Sequence, residues 1–79
     1  MREASVTMKD GSRWCGPINY WRPVEGWLSL MGAKVDAGPD KIWLRDVKEA
    51  TDYGVMTRIN VVEDVDLLER AREEGWDGR

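Results

Sequence analysis

The chain has 79 residues, 15 acidic and 12 basic, for a net charge of −3. That length allows one domain with a modest core. The single cysteine, Cys15, and the absence of histidine exclude an internal disulfide and a Cys/His zinc site. No apolar run approaches the roughly 20 residues of a membrane span, and residues 1–10 lack the apolar stretch of a signal peptide, so the cytoplasm is the expected location. A domain this small and without a covalent or metal staple needs dense packing or self-association. Its aromatic residues are 5 Trp and 2 Tyr, with no Phe, a composition suited to interfaces as well as cores because indole joins a large apolar area to a polar N–H.

Residues 1–8 alternate, with Ala4, Val6 and Met8 opposed to Glu3, Ser5 and Thr7, the pattern of a half-buried strand. Asp10-Gly11 comes next, a strong hairpin signal because both positions tolerate positive φ. Residues 13–22 read as a second strand, bent where Gly16-Pro17 interrupts the ladder. Trp14, Ile18 and Tyr20 share one parity and Cys15, Asn19 and Trp21 the other, and a bulge in this strand would reset the phase. Residues 22–26 form a turn. Residues 27–31 form a third strand, with Leu28 and Leu30 opposed to Trp27, Ser29 and Met31. The two glycines and one proline of 32–40 read as a loop. Residues 41–45 give a fourth strand, with Ile42 and Leu44 on one face and Trp43 and Arg45 on the other. Residues 46–52 are expected to make a short helical turn leading back into extended chain, and 55–61 a fifth strand.

The period then changes. Val65, Leu68 and Ala71, with Leu67 beside them, form an apolar helical stripe, so a helix is expected over about 64–75. Asp64 is its expected N-cap and Gly75 its C′ stop, with Trp76 placed to fold back onto the stripe. The domain is thus expected to be mainly β, five strands over about 4–62 closing on themselves, with a C-terminal α-helix.

The order of Val6-Thr7-Met8-Lys9-Asp10-Gly11, then Gly16-Pro17-Ile18, then Trp27-Leu28-Ser29-Leu30, then Ile42-Trp43-Leu44-Arg45-Asp46-Val47 resembles the SH3-like and Sm-like small β-barrels: strand, tight turn, bent strand, two further strands, short turn. The resemblance implies closure into a barrel, which protects sheet edges. A C-terminal helix departs from the usual Sm arrangement, which begins with a helix. Plasmid-type dihydrofolate reductases combine a similar length with an SH3-like barrel, but their Val-Gln-Ile-Tyr motif is replaced here by Lys41-Ile42-Trp43-Leu44, so their activity does not carry over.

The catalytic inventory is poor. General base catalysis usually falls to histidine or to a tuned carboxylate or lysine, Cys15 has no histidine to activate it, and no phosphate-binding loop or dinucleotide fingerprint is present. No catalytic residue, cofactor or metal is assigned. Asp46, Glu49 and Asp52 would share a helical face, but without the glycine turn of a calcium loop they read as a solvated acidic surface. What stands out is tryptophan beside arginine. Trp21, Arg22, Trp27, Trp43 and Arg45 have the composition of a protein-binding hot spot. They point to a non-catalytic module that self-associates or docks on a protein partner. The alternatives are a Sm-like binder of single-stranded RNA or a small nucleotide, stacking bases on the same rings although the acidic charge disfavours it, and a small oligomeric enzyme with a site between subunits.

Overall fold

The computed structural model describes residues 3–32, 39–56 and 62–79. Within them the chain is mainly β. Its strands are β1 (Glu3–Met8), β2 (Arg13–Gly16), β3 (Ile18–Arg22), β4 (Trp27–Leu30), β5 (Ile42–Trp43), β6 (Val47–Met56) and β7 (Val62–Asp66). A 3-10 turn, Leu44–Asp46, separates β5 from β6, and the helix α1 (Leu67–Glu73) comes after β7. The strands form two antiparallel sheets, ordered β2-β1-β6-β7 and β3-β4-β5. Among the described residues neither sheet closes on itself, and the strands number seven where five were expected. Among the described residues no helix is long and apolar enough to cross a membrane.

The Asp10-Gly11 signal makes the β1–β2 turn. Gly11 has φ +94°, Met8 N–H donates to Ser12 O at 2.8 Å, and Ser12 N–H donates to the Asp10 carboxylate at 2.8 Å. The bend at Gly16-Pro17 divides the long second strand between the two sheets. There the chain crosses close over β4: Met31 N–H donates to Pro17 O at 2.7 Å, and a Cβ added to Gly16 would lie 2.6 Å from Met31 O. Only a residue without a side chain fits that approach.

The parity of this strand resets within β3 rather than at the bend. Ile18 pairs with Leu30 and Tyr20 with Ser29, leaving Asn19 as the extra residue of a bulge. The bulge turns Trp21 inward, opposite Leu28, and Tyr20 outward. A second bulge lies in β6, where Thr7 pairs with Glu49 and Met8 with Val47, so Lys48 is the unmatched residue. The helical turn expected to lead into extended chain over 46–52 is a 3-10 turn that ends at Asp46, and residues 47–52 are strand. Val47, Ala50 and Asp52 are all buried, a spacing of three and then two that the bulge at Lys48 produces in a strand. The expected fourth strand is likewise shorter, since Leu44 and Arg45 belong to the 3-10 turn. The expected loop at 32–40 lies largely outside the described residues, as does most of the fifth strand expected at 55–61, although β6 and β7 flank it.

The core is built from Ala4 and Val6 of β1, Leu28 and Leu30 of β4, Ile42 of β5, Leu44, Val47 and Ala50, and Leu67, Ala71 and Trp76 at the C-terminus. Leu28, Ile42, Leu44 and Leu67 are almost completely buried, and each such side chain is worth about 1.5–3 kcal/mol of transfer energy. The helix starts two residues later than the sequence suggests. Asp66, not Asp64, is the N-cap, accepting from the Leu68 and Glu69 amides at 3.1 and 3.4 Å. Pairing of Asp66 with Thr51 and of Val65 with Asp52 keeps the preceding residues in β7.

At the other end Gly75 stops the helix as expected, with φ +117°. Trp76 N–H then donates to Ala71 O at 2.8 Å and Gly75 N–H to Arg72 O at 3.4 Å, the paired bonds of a Schellman closure. This delivers the Trp76 indole to the core, 7% exposed, against Gly26 of the β3–β4 turn.

Candidate functional site

The outer face of the β3-β4-β5 sheet carries a row of rings and cations. Alternation places Trp27 and Ser29 of β4 on the side away from Leu28 and Leu30, where Trp27 is half-buried and Ser29 is covered. Pairing then sets Arg22 and Trp43 on either side of Trp27, and Tyr20 opposite Ser29. The Tyr20 and Trp27 ring centroids are 6.2 Å apart, tilted by 55°. The Arg22 guanidinium lies 5.5 Å from the Tyr20 centroid. Lys41 Nζ stands 4.9 Å from the Trp27 centroid and 5.9 Å from that of Trp43, and the Arg45 guanidinium is 5.2 Å from Trp43. The row therefore reads Arg22, Tyr20, Trp27, Lys41, Trp43, Arg45 across three strands.

Each cation–ring contact is worth roughly 0.5–1 kcal/mol at an exposed site. That is enough to hold three long side chains in place and lower the entropy they lose on binding. Tyr20 is 50% exposed, whereas Trp27 and Trp43 are half-buried. Glu25 accepts from Trp27 Nε1 at 2.9 Å, which fixes the indole's orientation, and Asp40 lines a pocket beside Tyr20, Trp27 and Lys41.

Four of the five residues expected from the sequence, Arg22, Trp27, Trp43 and Arg45, lie together on this face. Trp21 does not. The Asn19 bulge turns it to the opposite side of β3, where it packs against the core and Nε1 donates to Glu74 Oε1 at 3.2 Å. Glu74 in turn pairs with Arg70 at 3.2 Å. Trp21 thus joins Ile18, Leu67 and Arg70 around a groove of about 310 Å³ between β3 and the helix.

Sequence reasoning misses Tyr20 and Lys41. Parity groups Tyr20 with Trp14 and Ile18, and the bulge reverses it. Lys41 immediately precedes the short β5, and the pairing of Trp27 with Trp43 brings both rings within its reach.

No protein-family model, curated protein or solved structure matches this chain. The reading of the face therefore rests on its own chemistry. Among the described residues no three His, Cys, Asp or Glu side chains are grouped to hold a metal ion. Asp46 ends the 3-10 turn, Glu49 is exposed on β6, and Asp52 is buried, so the three carboxylates do not form the common face that a helix would have given them. Cys15 is an exposed free thiol on the outer face of β2, with Sγ 3.8 Å from Ser5 Oγ.

Proposed function

We propose that this protein is a non-catalytic interaction module that docks an acidic segment of a protein partner on the row Arg22, Tyr20, Trp27, Lys41, Trp43 and Arg45. The observation that carries the reading is that each of three rings on this face has a cation over it. Three cations and three rings on one sheet face, with Glu25 and Asp40 beside them, form a local positive and aromatic surface on a protein of net charge −3. Aromatic residues with arginine dominate the energetics of protein interfaces. Positive surfaces draw acidic partners, raising the rate of encounter as well as specificity.

Stacking of nucleic-acid bases is the weaker reading for this row, because each ring already has a cation of the same chain over it and a base would have to displace it. The two sheets, joined at Gly16-Pro17 and linked through the 3-10 turn into β6, which pairs with β1, support an SH3-like arrangement of the domain. On that proposal the row occupies the outer face of the second half-barrel.

The test uses a fluorescent peptide of glutamates interspersed with proline and leucine, titrated by anisotropy, with a lysine-substituted peptide as control. The acidic peptide is expected to bind selectively, and Trp27→Ala/Trp43→Ala to weaken it on the order of tenfold or more. Equal binding of both peptides, or an unaffected double variant, refutes the reading. Sedimentation of the same proteins distinguishes a second copy as the partner: concentration-dependent association lost in the double variant would place self-association on this face.

A further inference from the structure

A second cationic surface lies beyond the row. Lys9, Arg45, Lys48 and Arg72, with Arg79 at its edge, line a groove of about 440 Å³ whose floor includes Leu44, Val47, Leu68 and Trp76, the last donating from Nε1 to Arg79 O at 3.2 Å. No carboxylate side chain lines it among the described residues. Lys9, the neighbouring Arg45 and Lys48, and Arg72 come from three separate parts of the sequence and are brought together by identifiable features. Lys9 is held beside the 3-10 turn by its own N–H, which donates to Asp46 O at 2.8 Å. Arg45 is on that turn, over Trp43. Lys48 is the extra residue of the β6 bulge, which frees it from strand alternation. Arg72 stands on α1 with its guanidinium 5.3 Å from the Trp76 centroid. All four are exposed, and none makes an ion pair among the described residues.

Like charges gathered around one concavity repel each other, and on an acidic protein nothing in the overall composition calls for the gathering. We infer that this groove is a binding site for linked phosphates, with the guanidinium forks of Arg45 and Arg72 taking phosphate oxygens in pairs and Lys9 and Lys48 acting as point charges. Two arginine forks and two ammonium groups offer more donors and more charge than one carboxylate can accept. A run of two or more phosphates presents several anionic oxygens within a few ångströms, which suits several cations around one groove. The site is separate from the aromatic row except at Arg45, which reaches both.

The experiment is calorimetric titration of the full chain with inorganic tripolyphosphate and, in a second arm, with a short oligothymidylate. Sulfate at matched ionic strength controls for screening. The variants are Lys48→Glu/Arg72→Glu, both at exposed positions, and Trp27→Ala as a change in the aromatic row only. Circular dichroism confirms that each is folded, and Lys48→Ala/Arg72→Ala replaces the charge reversal if that variant does not fold.

Tripolyphosphate is expected to bind well above sulfate. The charge-reversed variant should lose on the order of tenfold or more in affinity, and Trp27→Ala should keep it. Binding of the oligonucleotide alone, abolished by the same two substitutions, would identify a nucleic-acid backbone as the source of the phosphates at this groove. Absence of binding above the sulfate control in both arms, or binding indifferent to Lys48 and Arg72, overturns the inference. Because the acidic-peptide test uses Trp27 and Trp43, failure of one proposal leaves the other standing.

Discussion

Replacing Gly16 by alanine probes the joint between the two sheets. The new methyl carbon would lie 2.6 Å from the backbone oxygen of Met31, while ordinary contact begins at 3.4 Å, so the strands must separate by about 0.8 Å. They are poorly placed to do so. Met31 N–H is bonded to Pro17 O at 2.7 Å, and Ile18 pairs with Leu30, whose side chain is in the core. Overpacking of this kind costs roughly 1–3 kcal/mol, and a rigid backbone atom as the obstacle puts the expected value near the upper end, about 3 kcal/mol. At roughly 4–8 °C per kcal/mol for a domain of this size, the melting temperature should fall by about 10–25 °C.

The control is Gly11→Ala. There an added Cβ meets nothing within 4 Å, but φ is +94°, so the cost is backbone strain alone, roughly 1–2 kcal/mol. Urea and thermal unfolding, followed by tryptophan fluorescence and circular dichroism, measure both. If Gly16→Ala is no less stable than Gly11→Ala, the close crossing at the bend is not what holds the sheets together.

Asp66→Ala removes the acceptor for the Leu68 and Glu69 amides and should cost about 0.5–2 kcal/mol in urea unfolding, with Asp66→Asn or Asp66→Ser retaining most of the stability; equal loss in all three would mean that the side chain does not cap. The Asp10 carboxyl is held below its ordinary pKa of 3.8 by hydrogen bonds from Ser12. A carboxyl depressed on folding contributes stability above its unfolded pKa, and that contribution is lost as pH falls through the lower folded value. The β1–β2 turn should therefore loosen only below about pH 4, read as a shift of the Ser12 amide resonance that is absent in Asp10→Ala. A Ser12 transition centred above pH 4 would contradict the assignment.

The parts of the fold set by local chemistry are legible in the sequence. Asp10-Gly11 makes its turn, Gly16-Pro17 breaks the long strand, Gly75 ends the helix, and Trp76 folds back beneath it, because each depends on dihedral freedom or on a few neighbouring residues. The alternation that turns Ala4 and Val6 inward, and Trp27 and Trp43 away from Leu28 and Ile42, is equally legible, since the pleat fixes it along an uninterrupted strand. The helix start is not, because two carboxylates, Asp64 and Asp66, offer the same cap, and only the pairing of β7 with β6 keeps the first of them in the strand.

The length, the lack of histidine and the single cysteine are settled by sequence, as is the presence of tryptophan beside arginine. Tertiary structure decides which of these side chains meet. The bulges at Asn19 and Lys48 are irregularities of pairing between strands, and each reverses the facing of the residues beyond it: Trp21 leaves the outer face, Tyr20 joins it, and Val47 and Ala50, of opposite parity, are both buried. Lys41 enters the row only because Trp27 and Trp43 are cross-strand neighbours. Lys9, Lys48 and Arg72 share a groove only because a turn, a bulge and a helix converge there. Side chains distant in sequence acquire a common environment through strand pairing and packing, and no pattern along the chain carries that information.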